Sequence, residues 1–190
     1  MNRALERKTK MAGLTTVLAI SMLAGGCATT PGNRWQRKLA AELPVLGHRN
    51  WIVIADSAYP AQSRPGIETI ATGADQIDVV KAALKAVDDA THVRANVYLD
   101  AEMKYVAEQD APGIDAYRKH LAALLKNRAV NLVPHEELIA KLDEAAKTFR
   151  ILILKTTLTL PYTSVFLQLD CGYWSPQAEQ RLRRAIGRAE

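Results

Sequence analysis

The sequence predicts an α/β domain, a layered and largely parallel sheet flanked by helices, and three observations carry that prediction. Short apolar, β-rich runs alternate with helical patterns of roughly 10–15 residues along most of the chain, the order that crossover helices between parallel strands produce. The runs WIVIA at 51–55 and ILIL at 151–154 are apolar at every position, as strands buried on both faces are. The 190 residues show no internal repeat, low-complexity stretch or second domain, and that length is enough for one sizeable core.

Taken in order, residues 1–26 stand apart from this domain. Arg3, Arg7, Lys8 and Lys10 make a basic start, and residues 11–24 form an apolar stretch, shorter than the roughly 20 residues a membrane span needs. It runs into Leu23-Ala24-Gly25-Gly26-Cys27, which resembles the lipobox of bacterial lipoproteins, although Leu23 stands four places before the cysteine rather than three. The resemblance implies cleavage before Cys27, lipidation of its thiol, and a lipid-anchored protein of the bacterial cell envelope, on a periplasmic or outer face. An ordinary secretory signal with a chance cysteine is the alternative. Removing the four Lys/Arg and one Glu of residues 1–26 lowers the net charge from +5 to +2. The basicity therefore belongs mostly to the leader, and nucleic acid is not an expected partner.

Residues 27–34 read as a tether, 35–172 as the domain and 173–190 as a helical extension. A helix over 35–41 stops before Pro44. The strand at 51–55 leads into a turn-rich stretch with Pro60, Pro65 and Gly66. Asp75 caps a helix in which Ile77, Val80, Ala83, Leu84 and Val87 keep helical spacing. A strand over 93–99 and a helix over 114–126, with Tyr117, Leu121, Leu124 and Leu125 on one face, come next. The strand at 130–133 precedes a helix that opens on Pro134, a residue suited to the first helical position. Strands at 151–154 and 165–169 close the domain, and Ser175-Pro176 opens the last helix, which carries Arg181, Arg183 and Arg184. That arginine cluster reads as a solvated face rather than a lipid contact.

The most informative stretch is 46–60, LGHRNWIVIADSAYP. Asp56 follows the strand at 51–55 directly, and in open α/β sheets ligands collect beyond the strand carboxyl ends. His48 adds an imidazole, the side-chain type most used for proton transfer, and a carboxylate with an imidazole can run acid/base chemistry without a cofactor. A turn aspartate beside a surface histidine is the plainer alternative. No GxGxxG, Walker loop, HExxH, CxxC pair or GxSxG is present, and the four histidines are scattered, which argues against nucleotide, zinc and hydrolase chemistry. Once Cys27 is lipidated Cys171 is the lone free thiol, read as a small buried hydrophobe rather than a nucleophile.

Three segments together resemble the ribose pyranase / fucose mutarotase family: Gly47-His48, the strand and Asp56-Ser57-Ala58-Tyr59-Pro60 near the start, His135 within Pro134-His135-Glu136-Glu137-Leu138, and Pro161-Tyr162-Thr163-Ser164 before an apolar strand near the end. The resemblance spans roughly residues 35–172. It implies that family's layered fold, a homo-oligomer with sites near subunit contacts, and a cofactor-free, metal-free isomerase that interconverts cyclic forms of a monosaccharide such as fucose or ribose. His48 is then the catalytic proton-transfer residue, while Asp56, His135, Tyr162, Thr163 and Ser164 are substrate-binding. Ser164 stands where the family has asparagine and Ser57 where it has alanine. These departures keep open a non-catalytic sugar-binding or structural envelope lipoprotein on the same fold.

The anchor is checked directly. Cys27→Ser should move the protein from the membrane pellet to the soluble fraction, and intact-mass measurement should find lipid on the wild type alone. Membrane retention by the variant, together with an unmodified wild-type mass, would exclude the anchor.

Overall fold

The computed structural model describes residues 32–187, so the leader, Cys27 and most of the tether lie outside the described residues. Its elements are α1 (Gly32–Glu42), β1 (Trp51–Ala55), β2 (Ile67–Ala71), α2 (Gln76–Asp89), β3 (Val93–Asp100), α3 (Ile114–Leu125), β4 (Val130–Val133), α4 (His135–Ala145), β5 (Ile151–Lys155), β6 (Val165–Cys171) and α5 (Pro176–Ile186). A short 3-10 turn, Ala101–Tyr105, follows β3.

Six strands form one sheet in the order β2-β5-β1-β6-β3-β4. β1 and β2 both run parallel to β5, and β3 runs parallel to β4, while β6 is antiparallel to both its neighbours, β1 and β3. The cause is chain length. Residues 156–164 link β5 to β6 with no helix between them, and a parallel return needs a crossover of about a dozen residues or more. The expected largely parallel sheet is thus a mixed one, with a single reversed strand near its centre.

Alternation along the strands sorts the core into two layers. Ile52, Ile54, Leu152, Leu154, Val165, Leu167, Val97 and Leu99 meet α1, α2 and α3 on one face. Trp51, Val53, Ile151, Ile153 and Phe166 meet Leu138 and Leu142 of α4 on the other. All five residues of β1 are buried, as the uninterrupted apolar run implied. Asp75 caps α2 by accepting from the Ile77 and Asp78 N–H groups, and Ser175 caps α5 by accepting from Ala178 N–H. Pro134 is the cap residue of α4 in extended conformation rather than its first helical residue.

The sequence reading ends the turn-rich stretch at Gly66 and gives 67–71 no element; β2 there is an edge strand, with Glu68, Thr69 and Ala71 exposed. His92, just before β3, bridges backward: its Nε2 lies 3.1 Å from the Leu43 and Leu46 carbonyls, fixing the chain between α1 and β1. His120 is exposed and Cys171 is half-buried. α5 buries none of its residues. Among the described residues no helix is long and apolar enough to cross a membrane.

At Gly172 the backbone of the β6 end approaches the 91–93 segment so closely that an added Cβ would lie 2.8–2.9 Å from Thr91 O, Val93 N and Val93 O. Those are backbone atoms of paired segments, since Gly172 N–H donates to His92 O. Gly172→Ala should therefore destabilise the fold by ~1–3 kcal/mol, the usual scale of overpacking. Urea titration of the two proteins would show this as a lower midpoint at unchanged slope.

Candidate functional site

Because β1, β3, β4 and β5 all run one way and β6 the other, their ends deliver five segments to one edge of the sheet. These are Asp56 after β1, Asp100 at the end of β3, Pro134-His135 after β4, Thr156 after β5, and Tyr162–Ser164 before β6. The edge carries acid, imidazole and phenol together. His135 Nδ1 lies 3.0 Å from Asp100 Oδ1, and the His135 and Tyr162 rings meet edge to face with centroids 5.5 Å apart. Glu102, on the 3-10 turn, accepts the His135 backbone N–H with both oxygens at 3.0 Å. A carboxylate at a helix start satisfies a free amide and suits the helix dipole.

Asp100 is the unusual group here. It is 1% exposed, and its Oδ2 has no hydrogen-bond partner. Burial pushes its carboxyl above the ordinary range, the His135 hydrogen bond and charge pull it back in part, and the nearby charges of Glu102 and Asp56 push it up again. Asp56 turns its Oδ1 onto the Ala58 N–H at 2.8 Å, closing an Asx turn, while Ser57 N–H donates to Leu158 O. Tyr59 is buried beneath this edge. Burial, with the charges of Asp143, Asp100 and Asp56, raises its phenol to about 12, which keeps it neutral.

The loop before β6 is strained and tied down. Tyr162 has φ 56°, in the left-handed region that residues other than glycine avoid, and the residue is 42% exposed. Behind it, Thr163 O accepts from Tyr117 Oη at 2.8 Å and from Gln76 Nε2. Gln76 Oε1 in turn accepts from Thr156 Oγ1, which also reaches Ala55 O, both at 2.9 Å. Thr163 Oγ1 donates to Leu160 O. Thr163 and Ser164, assigned by sequence to sugar contact, are packed under the loop at 0% and 2% exposure. As they stand in this chain they position Tyr162 rather than offer a surface to a ligand.

The structure thus brings Asp56, His135 and Tyr162 to one edge and leaves His48 out. The whole length of β1 lies between His48 and Asp56, roughly 17 Å at ~3.3 Å per residue. The bend at Arg49, φ 76°, does not reverse this separation, because Arg49 N–H donates to Leu169 O near the far end of β6. There His48 Nε2 sits 3.5 Å from Asp170 Oδ1, and Asp170 Oδ2 accepts from Arg94. Partial burial pushes the Asp170 carboxyl up, but the Arg94 and Cys171 N–H bonds and the Arg94 and His48 charges outweigh it, so the group stays below its usual range. Cys27 lies outside the described residues. Among those residues no group of three or more His, Cys, Asp or Glu is placed to hold a metal ion.

Sequence reasoning missed Asp100, Glu102, Gln76 and Tyr59. One signal was available for Asp100: it closes the strand that alternates over 93–99, at the same carboxyl end at which Asp56 follows β1.

Fold and edge together describe a layered α/β protein with carboxylates, an imidazole and a phenol gathered at one set of strand ends. The chain belongs to the RbsD / FucU transport protein family, whose model matches residues 34–171, so the resemblance read from the three short segments is borne out. Among solved structures it is similar to Bacillus subtilis RbsD complexed with D-ribose, at 24% identity and TM-score 0.50, over 70% of this chain and 91% of that one. It also matches the fucose mutarotase of Streptococcus pneumoniae in complex with L-fucose, at 17% identity and TM-score 0.47, over 74% and 94% of the two chains. FucU from Bifidobacterium longum matches at 20% identity and TM-score 0.47, over 70% and 94%. No curated protein matches the chain.

The buried Asp100 makes a pH prediction with a defined sign. Its folded-state pKa is raised, so the folded protein holds the proton more tightly than the unfolded chain does. Stability from this group is present below the ordinary carboxylate range and is lost as pH rises through the raised value. The difference in unfolding free energy between wild type and Asp100→Asn, followed by denaturant titration across that window, should therefore shift against the wild type as pH rises. A pH-independent difference would show that Asp100 titrates as an ordinary carboxylate.

Proposed function

We propose that the protein binds a monosaccharide at the Asp56–His135–Tyr162 edge and interconverts its cyclic forms by acid/base ring opening, without a cofactor. The observation that carries this reading is the cluster of carboxylate, imidazole and phenol at one set of strand ends, with the His135 ring held by Asp100. Family membership supports it, as does the fold shared with a ribose-complexed RbsD.

Ring opening needs a base to take the anomeric hydroxyl proton while an acid protonates the ring oxygen; the C–O bond breaks as the carbonyl forms. Closure through the same hydroxyl on the other face changes the anomer, and closure through a neighbouring hydroxyl exchanges pyranose for furanose. Asp56 accepts hydrogen bonds from sugar hydroxyls. Tyr162 offers a hydroxyl and a ring face. The His135 Nδ1 is committed to Asp100, which leaves Nε2 for the ligand. His48 is the proton-transfer residue, and since β1 separates it from Asp56 it serves the edge of a neighbouring copy. The active form in this reading is a homo-oligomer, lipid-anchored through Cys27 in the envelope.

One observation favours a second reading, sugar binding without catalysis. Ser164, where the family resemblance expects asparagine, is buried and offers no amide to a sugar.

Magnetisation-exchange NMR on the anomeric protons of fucose and ribose separates the two. The wild type should accelerate exchange, and His48→Ala should lower the rate by about 10²-fold or more, the scale of general acid/base catalysis. Refolding inactive His48→Ala together with inactive Asp56→Ala should recover part of the activity, because mixed oligomers contain intact sites. No recovery would exclude the shared site. Wild-type rates equal to buffer, with Ser164→Asn restoring exchange, would establish the binding-only reading.

A further inference from the structure

The family match stops at residue 171, and the chain beyond it builds something at the His48 end of the sheet. A cleft of about 700 Å³ opens there between His48, Arg49, Arg94 and Asp170 on one side and Tyr173, Trp174 and Arg183 of the extension on the other. That is within the ~300–1,000 Å³ range of small-molecule sites, and more than one unsubstituted sugar ring fills.

The extension's wall is fixed in place. Arg94 Nη1 donates to Trp174 O at 3.3 Å, and Trp174 Nε1 donates to Glu179 Oε2 at 2.8 Å. Arg183 Nε holds the other Glu179 oxygen at 2.6 Å. Trp174 is therefore anchored through both its backbone and its ring, yet it remains 43% exposed. An indole face presented in this way suits the C–H face of a sugar ring, since the π-face is negative and C–H edges are positive. The cations of the cleft are not equivalent. Arg94 is engaged by Asp170 and Arg183 by Glu179, whereas Arg49 has no carboxylate partner among the described residues. Its guanidinium lies 5.7 Å from the centroid of the Phe149 ring, on a backbone held at positive φ. Such a group is matched by a carboxylate, which can take two parallel N–H donors.

We infer that this cleft is a sugar subsite created by the C-terminal extension and that it takes a hexose carrying a carboxylate, a uronic acid. The ring lies on Trp174, the carboxylate on Arg49, and the anomeric end faces His48. The inference rests on the reading of His48 as the proton-transfer residue and adds to it the substrate class.

Calorimetric titration of the full chain with D-galacturonate and with D-galactose tests it. Galacturonate should bind about tenfold or more tightly than galactose, the scale of a hydrogen bond to a charged group. Arg49→Gln should bring the two affinities together. Trp174→Ala should weaken both, and Trp174→Phe should restore most of the loss. Arg49 and Trp174 are both exposed and belong to neither core layer, so these variants keep the core. Equal affinities in the wild type, no binding of either hexose, or affinities untouched by Trp174→Ala would each overturn the subsite. Ring interconversion of fucose or ribose, and its loss in His48→Ala, is measured separately. Its persistence alongside any of these results would leave the proposed function standing while the subsite falls.

Discussion

The Gln76 side chain, wholly buried at the first residue of α2, joins the segments on which the strand-end edge depends. Its carbonyl receives Thr156 and its amide reaches Tyr117 and Thr163. Through Thr156 the same network touches the last carbonyl of β1. A buried polar atom left without its partner costs ~1–3 kcal/mol, so this amide holds β1, β5, α3 and the loop before β6 in one arrangement. The apolar layers would tolerate small shifts of those segments; the amide would not. Asp56 and Tyr162 each lie one residue from a backbone carbonyl that this network fixes.

The reversed strand explains why the chemistry divides between two ends of the sheet. β6 begins at the Tyr162 edge and finishes beside His48, passing between β1 and β3 on the way. Asp170, near its last turn of pairing, orients His48 and draws on Arg94 of β3. The loop before its first residue carries Tyr162. One strand therefore supports both groups of polar residues, which lie at opposite ends of the sheet.

Much of this fold was legible in the residues, for reasons of period and length. β1 and β4 were read with their observed boundaries, and the long helices α2 and α3 to within about two residues, because their apolar spacing admits one interpretation. β2 escaped because Ile67-Glu68-Thr69-Ile70-Ala71 has two strong apolar residues and follows Pro65-Gly66. It is a strand only by virtue of its register with β5, more than 80 positions away. The site divides along the same line. Asp56 and His135 stand beside recognisable elements. The Asp100–His135 contact joins residues 35 positions apart, and the clasp of Gln76 on Thr163 joins residues 87 apart. No local pattern encodes such pairs. The sequence reading also placed His48 and Asp56 at opposite ends of one strand, and the extended β1 keeps them there.

The order in which strands become available has a consequence for how the molecule is made. Of the five pairings in the sheet, only β3 with β4 joins segments present before residue 151; the others wait for β5 or β6. Trp51 and Ile151, partners at the sheet centre, are 100 residues apart. Non-local pairing of this kind slows folding, because loop-closure entropy is spent before contacts reward it. A nascent chain of the first 150 residues has α1 to α4, its apolar runs and the β3–β4 pair, but not the four pairings that assemble the sheet. Its apolar runs therefore stay uncovered until β5 and β6 are made, and over that interval a holding chaperone can shield them.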